Sequence, residues 1–442
     1  MSKDFWNSSE SDEQRQENFA TGKARLDQAA LNLSLSQAGT SYAGSMAATS
    51  HLDDDGKSRI STYSYRSERD ATQLVQEVDG RIINALCEQY YLPTDDQEWN
   101  RLDKQHIAIV LGLGGLYPAQ EEVQAILAPQ DGETKRILDL GCGTGIWTIE
   151  MAKEFPHAEV VGVDLAQVPV DTQTLPPNCR FEVDNINLGL THFEAQFDVV
   201  HVRLVGSGIK DFSERMKDIH NCLKPGGMMI WFDADYSLYF NRNFEYIPAY
   251  TEENREGSWM QRCTSELRRA MTKIGSDING MESILDQGLW NDPLLDPTTC
   301  RTASLYMPIG PWASDDDPAI SQLLKYAGAL MRQDAMEGMK SIRPLLVRIG
   351  WPKDTVEAWA KKQNEETTEM KNSPLLRFRL AWGRRKPESV TPTQQDTSSE
   401  KRSTSPSWAK YPWYFIYESE EVALEQTRIR NSGKGETLPP MA

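Results

Sequence analysis

Apolar positions change their spacing several times along this chain. Between Asp70 and Tyr91 they fall at Leu74, Val75, Val78, Ile82, Ile83, Leu86 and Cys87. That is the three-and-four spacing of one helix face, and it predicts a helix. A second helix is expected over residues 98–115, "EWNRLDKQHIAIVLGLGG". From Lys135 the pattern shortens. "RILDL", "EVVGVD", "CRFEVD", "FDVVHVR" and "GMMIWFDAD" read as five strands with helices between them. Residues 211–227 form the last of those intervening helices, expected to stop at Pro225-Gly226-Gly227. Residues 240–350 read as mainly helical, interrupted by a sixth strand in "CRTASLYMPIG". "RFRLAWGRR", at 377–385, is a seventh. Strands that alternate with helices predict an α/β fold, a mostly parallel sheet with helices on both faces.

The flanks differ. Residues 1–60 are rich in Ser, Gln, Ala and Asp and read as a disordered tail. Residues 61–130 read as a helical N-terminal extension and 131–387 as the main domain. Residues 388–442 read as a low-complexity tail holding an aromatic segment, "WAKYPWYFIYE" at 408–418. That segment is either part of the tail or a last strand reached across a long inserted loop.

The formal net charge of −18 disfavours direct binding to a phosphate backbone. No apolar run approaches the roughly 18 residues of a membrane span, and the first residues lack the apolar core of a signal peptide. The six cysteines form no C-x-x-C pair, so neither a metal site nor a disulfide framework is expected. A reducing compartment, cytoplasm or nucleus, is the expected location.

The chemistry concentrates in Gly141-Cys142-Gly143-Thr144-Gly145, between a predicted strand and a predicted helix. Glycines there let the backbone turn sharply and approach a ligand closely. A dinucleotide fingerprint would place its third glycine at position 146, which is Ile. Asp139 lies two residues before the loop, where a pyrophosphate would be repelled and a cationic ammonium welcomed. Asp164 ends the second strand, where a carboxylate can accept both ribose hydroxyls. The pattern suits a nucleoside without phosphates that carries a positive charge, and S-adenosylmethionine (SAM) has that chemistry. Either aspartate could instead cap the turn that follows it.

These stretches resemble the first two motifs of class I SAM-dependent methyltransferases, and most closely the fungal LaeA-like methyltransferases. "DLGCGTGIW", "FPHAEVVGVDL", "LPPNCRFEVDN", "FDVVHVR" followed by "LKPGG", and upstream "NRLDKQH" carry the likeness. "YMPIGPWASDD" and "AWGRRKP" extend it, so that it covers residues 63–387. The resemblance implies a Rossmann-like fold with a seven-stranded, mostly parallel sheet, and a helical lid over the methyl acceptor at 240–290. It implies that Gly141, Cys142, Gly143, Thr144 and Gly145 cradle the methionine part of SAM, with Asp139 facing its ammonium. Asp164 would hold the ribose and Leu165 flank the adenine. Asp184 would meet the adenine amino group, with Asn185 and Ile186 beside it. Arg203, at the end of the fourth strand, would face the ligand.

Methyl transfer needs a general base only when the nucleophile must lose a proton. The candidates are His106, His201 and Asp233, although His201 could simply point to the far sheet face. Two functions follow from the resemblance. One is methyl transfer to an oxygen or nitrogen of a small molecule in fungal secondary metabolism. The other is a nuclear regulatory role through protein partners.

Overall fold

The computed structural model describes residues 75–88, 90–387 and 411–432. The expectations for residues 1–74, 388–410 and 433–442 lie outside these. The first described element corrects the sequence reading. Residues 75–84 form a hairpin of β1 (Val75–Val78) and β2 (Arg81–Asn84), not a helix. The turn is Asp79-Gly80, both at positive φ (54° and 74°), the geometry that Asp-Gly favours in two-residue hairpins. The Arg81 guanidinium reaches Asp95 at 2.6 Å. Asp95 also caps α1 (Asp96–Leu113) by accepting from the Glu98 amide, and Gly114 closes that helix in the left-handed region. Hairpin and helix are therefore tied through one aspartate. Helix α2 (Gln120–Leu127) follows.

The predicted strands form as expected. β3 (Arg136–Leu140), β4 (Glu159–Asp164), β5 (Cys179–Val183), β6 (Phe197–Arg203) and β7 (Leu223–Phe240) pair in parallel in the order β5-β4-β3-β6-β7. Helix α3 (Ile146–Glu154) joins β3 to β4, and α4 (Phe212–Cys222) precedes β7. α4 ends before the Pro-Gly-Gly, which instead lies inside the strand. The β6–β7 register jumps between Phe197↔Leu223 and Val199↔Met228, so Lys224–Gly227 form a bulge with Gly226 at φ 80°.

Beyond β7 lie β8 (Glu245–Tyr246), α5 (Trp259–Lys273), α6 (Ile278–Gln287), β9 (Arg301–Pro308), α7 (Pro318–Arg348), α8 (Lys353–Glu369) and β10 (Pro374–Arg384). β10 enters antiparallel between β7 and β9, which completes the seven expected strands. Two more pair with the sheet. β8 joins the end of β7, and β11 (Tyr414–Tyr417) joins the outer edge of β9. Within the aromatic segment, Tyr414–Tyr417 is thus an edge strand, while residues 408–410 lie outside the described ones. Helix α9 (Glu420–Ser432) follows it and leans on α6 through a Thr427 hydroxyl that donates to the Asp286 carbonyl.

Alternation along the strands sorts the side chains. Leu138, Leu140, Val161, Val163, Val200, Val202, Met229 and Trp231 share one face and form the main core with Phe212, Met216 and Ile219 of α4 and Met281 and Leu285 of α6. Each such side chain contributes about 1.5–3 kcal/mol by burial. On the other face Asp139 and His201 are register partners, and α3 covers them with Trp147 and Thr148. Helices therefore lie on both faces, and the loops at the carboxyl ends of β3 to β6 converge on one crevice. That is where open α/β sheets place ligands.

Candidate active site

The crevice, a cavity of about 100 Å³, lies between the glycine loop, the ends of β4, β5 and β6, and helix α1. Gly141, Gly143 and Gly145 all have left-handed φ (74°, 57° and 75°). A Cβ at Gly141 would lie 2.2 Å from Val205 Cγ2, and one at Gly145 would lie 2.7 Å from Phe181 Cζ. Packing forbids side chains at both. At Gly143 the nearest atom is Leu102 Cδ1, at 3.5 Å across the cleft, so its bare backbone borders open space. The Gly141 and Cys142 amides donate to the Val163 carbonyl, which pins the loop to β4. Cys142 is buried and its thiol is pushed well above the ordinary range by burial and by Asp164 and Asp139, so it is an inert small residue.

Asp164 lies at the loop's edge. One carboxylate oxygen accepts from the Gly143 amide at 2.8 Å and the other from the Ala166 amide at 3.0 Å. Burial pushes its pKa up against the pull of these amides. Asp184, Asn185 and Ile186 continue the wall, with Leu165. Asp184 pairs with His192 at 3.2 Å, and the Asn185 side chain accepts from the Asn187 amide. Every expected cofactor residue except Asp139 and Gly145 lines the crevice. Gly145 instead starts α3 against Phe181, one step behind the wall.

Asp139 is 1% exposed and lies beneath the loop. One of its oxygens accepts from Thr148 Oγ1 at 2.6 Å and the other pairs with His201 Nδ1 at 2.8 Å. It therefore braces the underside of the loop and is not among the crevice-lining residues. His201 stacks on Trp147 with centroids 3.7 Å apart and is likewise beneath the site. Asp233 is buried too. It accepts from the amides of Gly206 and Ala234 and from Trp231 Nε1, and so supports the turn after β6. No residue of 240–290 lines the crevice, and α5 and α6 pack into the core instead.

Of the three base candidates, only His106 borders the crevice. Its Nε2 lies 3.0 Å from Glu150 Oε2, and its Nδ1 lies 3.1 Å from Arg203 Nη2. A guanidinium can only donate, so Nδ1 is the acceptor and Nε2 carries the proton toward Glu150. Burial holds His106 below the ordinary imidazole range, against the pull of Glu150 and with the push of Arg203.

Several lining residues escaped sequence reasoning: Tyr90, Leu102, Gln105, Asn187, Val205 and Gly208. Leu102 and Gln105 sit within "NRLDKQH", which had marked the segment but not these positions. Leu204 stands at φ 57°, held by its amide's bond to the Phe232 carbonyl. A left-handed leucine at a cleft wall is the kind of strain that collects at functional sites.

The chemistry of the donors fits SAM. Carboxylates lie at the β4 and β5 end, bare glycine backbone in the middle, and one guanidinium at the β6 end. No cluster of basic groups awaits a phosphate among the described residues that line it. Residues 116–278 match a family model described as a methyltransferase domain. The chain is 34% identical over 298 residues to the "Secondary metabolism regulator laeA" of Coprinopsis cinerea, covering 67% of this chain and 70% of that protein. It is 26% identical over 294 residues to "Methyltransferase str2" of Strobilurus tenacellus, covering 65% and 94%. It is 27% identical over 263 residues to "Protein-methionine methyltransferase laeA" of Emericella nidulans, covering 58% and 62%. The fold is that of a SAM-dependent methyltransferase. Within that class, the chain belongs to the LaeA-like methyltransferases related to those of fungal secondary metabolism.

Proposed function

We propose that this enzyme transfers the methyl group of SAM to an oxygen or nitrogen of a small molecule of fungal secondary metabolism, and that the nucleophile arrives able to attack. One observation carries the second half. None of the base candidates has a free lone pair at the crevice: His106 is engaged on both nitrogens, and His201 and Asp233 lie outside it. When bound, SAM supplies a methyl group already activated on a sulfonium. The chain's own part is to bind, orient and exclude water. In this reading the glycine loop accommodates the amino-acid part and Asp164 accepts from the ribose hydroxyls. Asp184, Asn185, Ile186 and Leu165 hold the adenine. Amines, phenols and other acidic hydroxyls are the acceptors such a site can use; an aliphatic alcohol would require a base.

The test is methyl transfer from labelled SAM across amines, phenols and aliphatic alcohols. The rate should follow the acceptor's own ionisation with pH. Preferred turnover of aliphatic alcohols would overturn the proposal. A second reading, regulation in the nucleus through protein partners, is favoured by the likeness to the Coprinopsis cinerea regulator. It predicts nuclear location of the tagged protein and specific co-purifying partners, whereas the enzymatic reading allows a cytoplasmic protein. Among the described residues no helix is long and apolar enough to cross a membrane.

A further inference from the structure

We propose that the outer edge of β11 and the exposed side of α9 form the seam of a two-fold dimer of this chain, with two copies of β11 pairing antiparallel through Ile416. Eight large apolar side chains are exposed among the described residues, and five of them are Phe415, Ile416, Val422, Leu424 and Ile429, all within one strand and the helix that follows it. They are 37–55% exposed. Apolar surface gathered in this way marks an interaction site. β11 ends the sheet order, and its register against β9 is unbroken. The strand reads Tyr-Phe-Ile-Tyr, with no lysine, proline or bulge to protect its edge from another strand.

The backbone phase selects the occupant and the register. The Tyr306 amide donates to the Trp413 carbonyl at 3.0 Å. Alternation then turns the polar groups of Phe415 and Tyr417 toward β9 and those of Ile416 outward. A second β11 that runs antiparallel along this edge meets the same outward pair. The two Ile416 residues exchange both N–H···O bonds, and the two-fold axis passes between them. Phe415 of each copy then lies opposite Tyr417 of the other, an aromatic pair on one face of the continued sheet. The Arg430 guanidinium lies 6.0 Å from the Tyr417 ring, so α9 covers that same face. Ala423 is buried and Thr427 bonds to the Asp286 carbonyl, so these positions turn inward. Val422 and Ile429, seven residues apart, share one exposed flank. Charge runs along the helix, with Glu420, Glu421 and Glu425 in its first half and Arg428 and Arg430 in its second. The same axis sets α9 antiparallel to its copy, so the acidic half of each faces the basic half of the other. Parallel packing would oppose like charges instead.

Sedimentation velocity of the full chain over a concentration series tests this. Wild type should sediment as a dimer by tens of micromolar. Ile416→Lys, which leaves the backbone bonds to β9 in place, should raise the dimer dissociation constant at least about tenfold, and Ile429→Glu should do the same. Both variants should keep a cooperative melt. The register has its own test in the wild-type background. Paired Ile416 residues have Cα atoms about 5.5 Å apart, within disulfide range. Ile416→Cys should therefore cross-link to a covalent dimer under mild oxidant, whereas Phe415→Cys, set diagonally from its copy, should not. A wild type that stays monomeric at these concentrations overturns the proposal and means that another segment or another protein takes this edge. A dimer unchanged by both surface variants, or cross-linking at 415 as readily as at 416, overturns it too.

Discussion

Asp164 does two jobs in this account, and Asp164→Asn separates them. In the ligand-free fold its two oxygens accept from the Gly143 and Ala166 amides at 2.8 and 3.0 Å. The remaining lone pairs are proposed to accept from the ribose hydroxyls in the crevice. Asparagine keeps one oxygen and turns an NH2 toward either an amide or a hydroxyl. The cofactor loses one charge-assisted hydrogen bond, about 1.5–3 kcal/mol, which weakens binding roughly ten- to hundredfold. The fold loses one charged acceptor as well. It also sheds a carboxylate whose pKa burial had already raised, so the two effects offset. Stability should change by no more than about 1 kcal/mol, a shift in Tm of about 1–2 °C or less in a chain of this size. Titration calorimetry with S-adenosylhomocysteine and a thermal melt on the same sample measure both. Unchanged affinity would refute the ribose assignment. A large Tm loss with affinity falling only in proportion would show that Asp164 acts purely as a loop brace.

Other consequences are as direct. His106 and His201 are both held neutral by burial, while in the unfolded chain each binds a proton below about pH 6.5. The unfolded state then holds more protons, so stability is full above that value and falls as pH drops below it. Melts from about pH 8 to about pH 5.5 should show this decline, and His106→Gln should flatten it; an unchanged slope in that variant would contradict the assignment. A Cβ at Gly162 would lie 2.6 Å from Phe181 and 2.9 Å from Thr148 Oγ1. Gly162→Ala should therefore cost about 1–3 kcal/mol in urea unfolding, and adding Phe181→Leu should recover part of it. Burial pushes the Asp286 carboxyl up, but Arg377, Arg379 and Arg430 pull it down to about 2. Asp286→Ala leaves Arg377 and Arg379 to share Asp235 and Arg430 without its carboxylate, and should cost about 3 kcal/mol in the same assay; a loss within error would mean the cluster relaxes into solvent.

The parallel core was legible because buried strands such as residues 159–164 leave short apolar runs between turn residues. The glycine loop and the acid at the end of β4 were legible because left-handed turns and the capping of a loop's amides restrict residue type. The hairpin at 75–84 was not. Its apolar residues happen to fall at helical spacing, although the Asp79-Gly80 pair between them is a hairpin-turn signal. The bulge at Lys224–Gly227 misled for a related reason: Pro-Gly-Gly reads as a helix stop, but α4 had already ended at Cys222. β11 was left open because its pairing with β9 spans more than a hundred residues, a tertiary fact that local pattern does not carry. Asp139 shows the limit at the site. Its position beside the loop was correct, but Thr148 and His201 claim its oxygens, and which neighbour claims a carboxylate depends on packing.

The most direct measurement is titration of the purified full chain with S-adenosylhomocysteine, beside Gly143→Val. Gly143 is the informative glycine, since its Cβ would meet nothing closer than 3.5 Å and the fold should tolerate the volume. A β-branched residue at its φ of 57° is nonetheless strained, and it fills the space against which the ligand must lie. The account predicts saturable one-to-one binding by wild type and its loss in a variant that still unfolds cooperatively. Binding retained in Gly143→Val, or absent from a folded wild type, would contradict the claim that this loop is the cofactor site.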